Sequence, residues 1–203
     1  MPVKDTARDH EAIGTANSYG VLNLRQWAKV LKNGYSTGAK RFRLLESAGW
    51  VRRLELPNSS LLLLAPTQSG CDLIGDSLPP ITSVKLAEHR HDSMLFDLSQ
   101  AIVAKRGGIW IPERRLRQRG HAGHIPDGLL RLGGSNIAIE LELSAKAPQR
   151  LSEILAQHAS NLNHHETWYF TDNDEVARLV GRLAVGYSMI KVIRFTRKNS
   201  HAR

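Results

Sequence analysis

The sequence predicts an α/β (α+β) chain in two parts: a small N-terminal domain of helices and one hairpin, then a larger domain of order αβββαβαβ around a central mixed sheet. Three observations carry this expectation. Apolar residues recur at helical spacing in some windows and alternate in others. The stretch Gly75-Asp-Ser-Leu-Pro-Pro-Ile-Thr-Ser83 interrupts both patterns, because adjacent prolines cannot continue a helix and push the preceding residue to extended conformations. Residues 125–132 and 136–143 are apolar runs linked by Gly133-Gly134-Ser135, which supplies the positive-φ positions of a tight hairpin. The division expected is a flexible N-terminus over 1–20, a first domain over 21–78, a linker over 79–83, a second domain over 84–196 and a basic tail over 197–203.

Asn23 to Leu31 carries Leu24, Trp27, Ala28, Val30 and Leu31 at helical spacing, with Gly34 as the stop. A second helix begins near Ser36 or Thr37, buries Ala39, Phe42 and Leu45, and leaves Lys40, Arg41 and Arg43 outside. Trp50–Leu56 and Ser60–Leu64 form a hairpin turned at Pro57-Asn58-Ser59, and Pro66-Thr67 opens a short helix.

In the second domain a helix runs from a Ser83 cap to about Lys105, with Val84, Ala87, His91, Met94, Leu95, Leu98 and Ile102 on one stripe. A strand over Ile109–Leu116 and the glycine hairpin follow. Pro148 then opens a helix with Leu151, Ile154, Leu155, His158 and Leu162 on its apolar face. A strand at 167–170, a helix at 174–184 and a strand at 189–195 complete the order.

The hairpin holds the densest chemistry. Strand side chains alternate, so Glu140 and Glu142 point one way and Ile139, Leu141 and Leu143 the other. Folding at Gly133-Gly134 brings Asp127 back beside them. Carboxylates that close repel unless a cation neutralises them, and such oxygen ligands suit Mg²⁺ or Mn²⁺. The plainer alternative is a solvated strand face opposite a buried one. His121, His124, His164 and His165 show no zinc-ligand spacing and receive no role, and a histidine on an apolar stripe is more often a core residue.

Composition bounds the partners. The 203 residues are 41% hydrophobic and 23% charged, and no apolar run approaches a membrane span. A polar start without an apolar leader and a single Cys71 indicate the cytoplasm. With 28 Lys+Arg against 19 Asp+Glu the net charge is +9, which favours a polyanion. Lys105, Arg106, Arg114, Arg115, Arg117 and Arg119 face only Glu113 over 105–119, a stretch suited to gripping phosphates or simply to a solvated basic face. No phosphate-binding P-loop, dinucleotide fingerprint, serine-nucleophile elbow or clustered tyrosine pair is present.

Helix, turn, basic helix and hairpin, ending in Leu64-Ala-Pro66-Thr67, resemble the winged helix-turn-helix DNA-binding domain. The resemblance implies groove or phosphate contacts by Lys40, Arg41 and Arg43 and wing contacts by Arg52 and Arg53, with a packing or dimerisation module as the alternative. The second domain, with Pro126-Asp127 on one strand and Glu140-Leu-Glu142 on the next, resembles the PD-(D/E)XK nuclease superfamily, the restriction-endonuclease-like fold. The whole chain further resembles the replication-relaxation family of plasmid and mobile-element proteins. The nuclease resemblance implies Asp127 and Glu140 as metal ligands with the Leu141 carbonyl. Glu142, standing where the motif has lysine, becomes a second metal ligand or base, and Lys146 reaches back to replace the ammonium. Glu88 and His91 are auxiliary candidates.

The function implied is hydrolysis or nicking of double-stranded DNA with Mg²⁺ or Mn²⁺. The alternative is a catalytically inactive DNA-binding regulator or accessory factor that uses the nuclease fold as a scaffold. Other replication, transposition or conjugation proteins and a second copy of the chain are the further partners considered, and a membrane is not among them.

Overall fold

The computed structural model describes residues 3–56, 61–120 and 124–195, so the Pro57-Asn58-Ser59 turn, His121 and the 197–203 tail lie outside the described residues. The chain forms two compact units, 1–100 and 101–203. The first contains α1 (Ala7–Tyr19), β1 (Leu22–Asn23), α2 (Leu24–Val30), α3 (Tyr35–Ser47), β2 (Val51–Glu55), β3 (Leu62–Pro66), α4 (Gln68–Leu73) and the start of α5 (Leu86–Arg106). Its strands form an antiparallel sheet ordered β1-β3-β2.

The N-terminus corrects one expectation. Residues 7–19 are not a flexible tail but a helix, opened by a capping box in which Thr6 accepts from the Asp9 amide and the Asp9 side chain accepts from the Thr6 amide. Ala12, Ile13, Ala16 and Tyr19 go into the core, so this helix is held by packing as well as by its cap.

The 79–83 linker is also revised. The division between units falls inside α5, after Gln100. Asn17 donates to Asp76 (2.9 Å) and to the Leu78 carbonyl (2.7 Å), and Ile81 and Val84 pack against Val21, Leu56, Leu63 and Ala65. Gln26 donates to the Ser93 carbonyl (3.0 Å), and Tyr19 stacks edge-on against Phe96 and bonds Ser99 (2.6 Å). The early part of α5 therefore belongs to the first unit. The helix starts at Leu86, three residues beyond the expected Ser83 cap.

The second unit contains the end of α5, then β4 (Ile109–Pro112), α6 (Glu113–Gln118), β5 (Gly128–Leu132), β6 (Ser135–Leu141), α7 (Pro148–Ser160), β7 (Glu166–Thr171), α8 (Asp174–Leu183) and β8 (Ile190–Arg194). The five strands lie in sequence order, β4-β5-β6 antiparallel and β6-β7-β8 parallel, giving the expected mixed sheet. The expected strand over 109–116 stops at Pro112. Glu113 to Gln118 instead form a short helix with an acid in its first turn and Arg115 and Arg117 in its last, as the helix dipole favours.

Gly133 and Gly134 (φ 55° and 83°) close the β5–β6 hairpin and set its register, pairing Gly128 with Ile139. Gly128 is needed for space, since a Cβ there would meet the Trp110 indole at 2.2 Å. The sheet is covered on both faces. Tyr169 packs with Leu151 and Leu155 of α7 and Val176 and Val180 of α8, while Ile139, Leu141, Trp168 and Phe170 alternate to the opposite face and are buried too. Leu162, expected on the α7 stripe, lies beyond the helix and is 97% exposed.

Candidate metal centre

Glu140 is on β6, one residue before its end, and is paired in register with Tyr169 of β7, so both side chains rise from the sheet face that α7 covers. The α7 stripe of Leu151, Ile154 and Leu155 continues one turn on to His158, which this spacing sets over Glu140. His124 comes from the segment before β5. Glu140 Oε1 accepts from His158 Nε2 at 2.9 Å and from His124 Nε2 at 2.8 Å, and the two imidazoles meet edge to face at 5.0 Å.

Glu140 is 4% exposed and His158 1%. Burial works to raise the Glu140 carboxyl, but the hydrogen bonds and charge of His124 and His158 outweigh it and hold it down at about 2. The Glu140 carboxylate raises His124 in turn, against the opposing effect of burial. Burial, with Glu140, Glu142 and Asp127 adding to it, pushes the Tyr169 phenol far up, and its hydroxyl has no hydrogen-bond partner among the described residues.

Ligand atoms of His124, Glu140 and His158 all lie within 4.8 Å of one another, so one ion could bind all three. Two imidazole nitrogens and one carboxylate oxygen are a donor set that suits first-row transition metals and leaves coordination positions open. This group differs from the expected all-oxygen set of Asp127, Glu140 and Glu142, and shares Glu140 with it. Asp127 Oδ2 accepts from the Leu141 amide at 2.7 Å, bracing the hairpin beside Glu140. Glu142 is buried, not solvated, and pairs with Lys146; burial raises its carboxyl despite that partner. Burial also presses the Lys146 ammonium downward, but Glu142, with Glu140 and Asp127, keeps it raised.

The cluster opens on a cavity of about 370 Å³ lined by Asp127, Glu140, His124, Lys146, Arg117 and Arg150, among others. Arg117 pairs with Glu113 across one helical turn, and Arg150 lies 3.3 Å from Glu153. Arg115 reaches Gln118 at 3.3 Å, and Arg114 is half-buried. The auxiliary candidates Glu88 and His91 belong to the first unit. Glu88 is exposed and bonded to Lys85, and His91 faces Asp92 on its own helix. His124 and His158 were missed because a loop, a strand and a helix deliver the three ligands 16 and 18 residues apart, and no short spacing encodes that meeting.

In the first unit Lys40 and Arg43 are exposed on α3. Arg41 is instead bonded to Asp9 at 2.8 and 2.5 Å and to the Lys4 carbonyl, and ties α3 to α1. Arg52 donates to the Ile81 carbonyl at 2.5 Å, and Arg53 bonds Glu46 at 2.7 Å while lying over the Phe42 ring. Those three arginines therefore have structural partners within the unit.

No family model matches the chain, and no curated protein does. Among solved structures it is similar to RV1404 from Mycobacterium tuberculosis at 26% identity over 60% of this chain and 76% of that one, with a TM-score of 0.33. No helix among the described residues is long and apolar enough to cross a membrane.

Proposed function

We propose that this chain binds double-stranded DNA through its N-terminal unit and hydrolyses DNA phosphodiesters at the His124–Glu140–His158 cluster, with a divalent metal as cofactor. The observation that carries this reading is the convergence of three metal-competent side chains at a cavity also lined by Lys146, Arg117 and Arg150. A cation seat among guanidinium and ammonium groups suits a phosphate ester, whose negative charge rises in the transition state. Of the two ions first expected, the nitrogen-bearing set favours Mn²⁺ over Mg²⁺, with Zn²⁺ a further fit. A bound ion would polarise the phosphoryl group and ease deprotonation of the attacking water.

The chain's own residues do the remaining work. Asp127, fixed by the Leu141 amide and bordering the cavity, takes the proton of the attacking water. Lys146, steadied by Glu142, meets the phosphate oxygens, and Arg117 and Arg150 hold the flanking backbone. Lys40 and Arg43 bring the duplex to the protein. The resemblance to replication-relaxation proteins makes the DNA of a mobile element the natural setting.

Nicking of supercoiled plasmid in Mn²⁺, Zn²⁺ or Mg²⁺ tests this reading. Wild type should nick in Mn²⁺, and His158→Ala and Asp127→Ala should each lose at least about 10²-fold in rate. Equal rates for the variants and wild type would overturn the assignment. Tight DNA binding with no metal uptake would select the inactive DNA-binding regulator instead.

A further inference from the structure

We propose that His164 is a positioning residue that fixes the tautomer of His158 and so makes its Nε2 a metal ligand; this rests on the metal reading given above. A neutral imidazole has one N–H and one lone pair, and which nitrogen carries which is decided by the partner of the other. His158 Nε2 faces the cluster and donates to Glu140 at 2.9 Å, and an ion there would take the place of that proton. To ligate from Nε2, the ring must keep its proton on Nδ1, where an acceptor in reach stabilises it. His158 Nδ1 lies 3.4 Å from His164 Nε2, and the two rings meet at 5.3 Å. With its own proton on Nδ1, a nitrogen that no described residue bonds, His164 presents a lone pair at Nε2 to receive the His158 proton.

His164 is built into this position. It is 4% exposed, in the connection between α7 and β7. Asn136, at the start of β6, clamps the residues on both sides: its Nδ2 donates to the Asn163 carbonyl at 2.9 Å, its carbonyl accepts from the His165 amide at 2.8 Å, and its amide donates to His165 Nδ1 at 3.2 Å. Asn161 Oδ1 also accepts from the Asn163 amide at 2.9 Å. The chain on either side of His164 is thus held by bonds from Asn136, on the strand that carries Glu140, so β6 supplies one ligand directly and orients a second through the loop. His164 would touch neither metal nor substrate, and its effect would pass through His158.

The test is Mn²⁺ calorimetry, with Co²⁺ absorption as a spectroscopic readout, on the full chain and three variants. His158→Ala should abolish uptake. His164→Ala should weaken Mn²⁺ affinity about 10–100-fold and shift the Co²⁺ visible bands. His164→Gln should recover most of the loss, because its amide oxygen reaches the position of the imidazole Nε2 and accepts a proton. Wild-type affinity in His164→Ala, with uptake lost in His158→Ala, overturns the role of His164 and leaves the metal centre standing. Equal losses in His164→Ala and His164→Gln overturn it as well, since volume alone would then explain the effect. If wild type takes up neither Mn²⁺ nor Co²⁺, the metal centre itself fails.

Discussion

Each unit buries a carboxylate among cationic or potentially cationic side chains, and the two solutions differ in kind. In the first unit Asp9 is 1% exposed and is bonded by Thr6 and the Arg41 guanidinium, a group that is always charged. In the second, Glu140 faces two imidazoles that can each be neutral or charged. Asp9 is paired for good, and its bonds tie α1 to α3. Glu140 is paired through protons that an ion can displace. A buried acid with a fixed partner is a structural joint, whereas one with exchangeable partners beside a cavity is a seat for a ligand.

Substitution at the two acids should separate these roles most sharply. Glu140→Gln should reduce Mn²⁺ affinity by at least about 10²-fold while leaving the unfolding midpoint nearly unchanged, because the amide oxygen can still accept from His124 and His158. Asp9→Asn should do the reverse, costing about 3 kcal/mol by stranding the Arg41 charge, with Mn²⁺ uptake intact. Calorimetry and urea unfolding of both variants check this, and a Glu140→Gln chain that unfolds as readily as Asp9→Asn would erase the distinction.

The pH response of the joint is smaller and has a definite sign. Burial opposes ionisation of Asp9, but Arg41 and Thr6 prevail and hold its carboxyl below the ordinary value. The unfolded chain therefore takes up the proton first as pH falls. The stabilisation is complete well above the ordinary carboxylate range of the unfolded chain and declines as pH drops through the lower folded value. Urea titrations between about pH 6 and pH 3 should show a steeper loss for wild type than for Asp9→Asn, and parallel slopes would contradict the pairing.

The smallest effects belong to exposed charges. Lys40→Ala and Arg43→Ala should each weaken DNA binding and lower the salt slope by about 1, without changing stability. Arg41→Ala should destabilise the unit instead. A salt slope for Arg41→Ala that falls like the other two, in a chain that unfolds normally, would return it to the DNA-facing set.

The features most legible in the sequence were those governed by local rules. The Gly133-Gly134 turn, the Pro148 helix start and the order of the second unit's elements other than α6 all follow from nearest-neighbour chemistry. The α1 helix escaped because its apolar residues are few, although Thr6 and Asp9 have the capping-box spacing. Glu113 to Leu116 read as the end of a strand because they follow the apolar run Ile109–Pro112, while Pro112 at the N-cap marks the change. At the site, Glu140 and its neighbouring acids were legible from strand parity. His158 was read as a core residue because helical periodicity reports only that a position is buried. It does not report that a carboxylate stands beneath it.

The hairpin register has a consequence for how such a site can vary. Because side chains alternate, every position in β6 has an odd or an even parity relative to the two glycines, and all chemistry is on one of them. Deleting a single residue between Asn136 and Ile139 would turn Leu141 toward the imidazoles and drive both glutamates among Trp168 and Phe170. Length changes in this strand are therefore tolerable only in pairs, while the loops around it are free of that arithmetic.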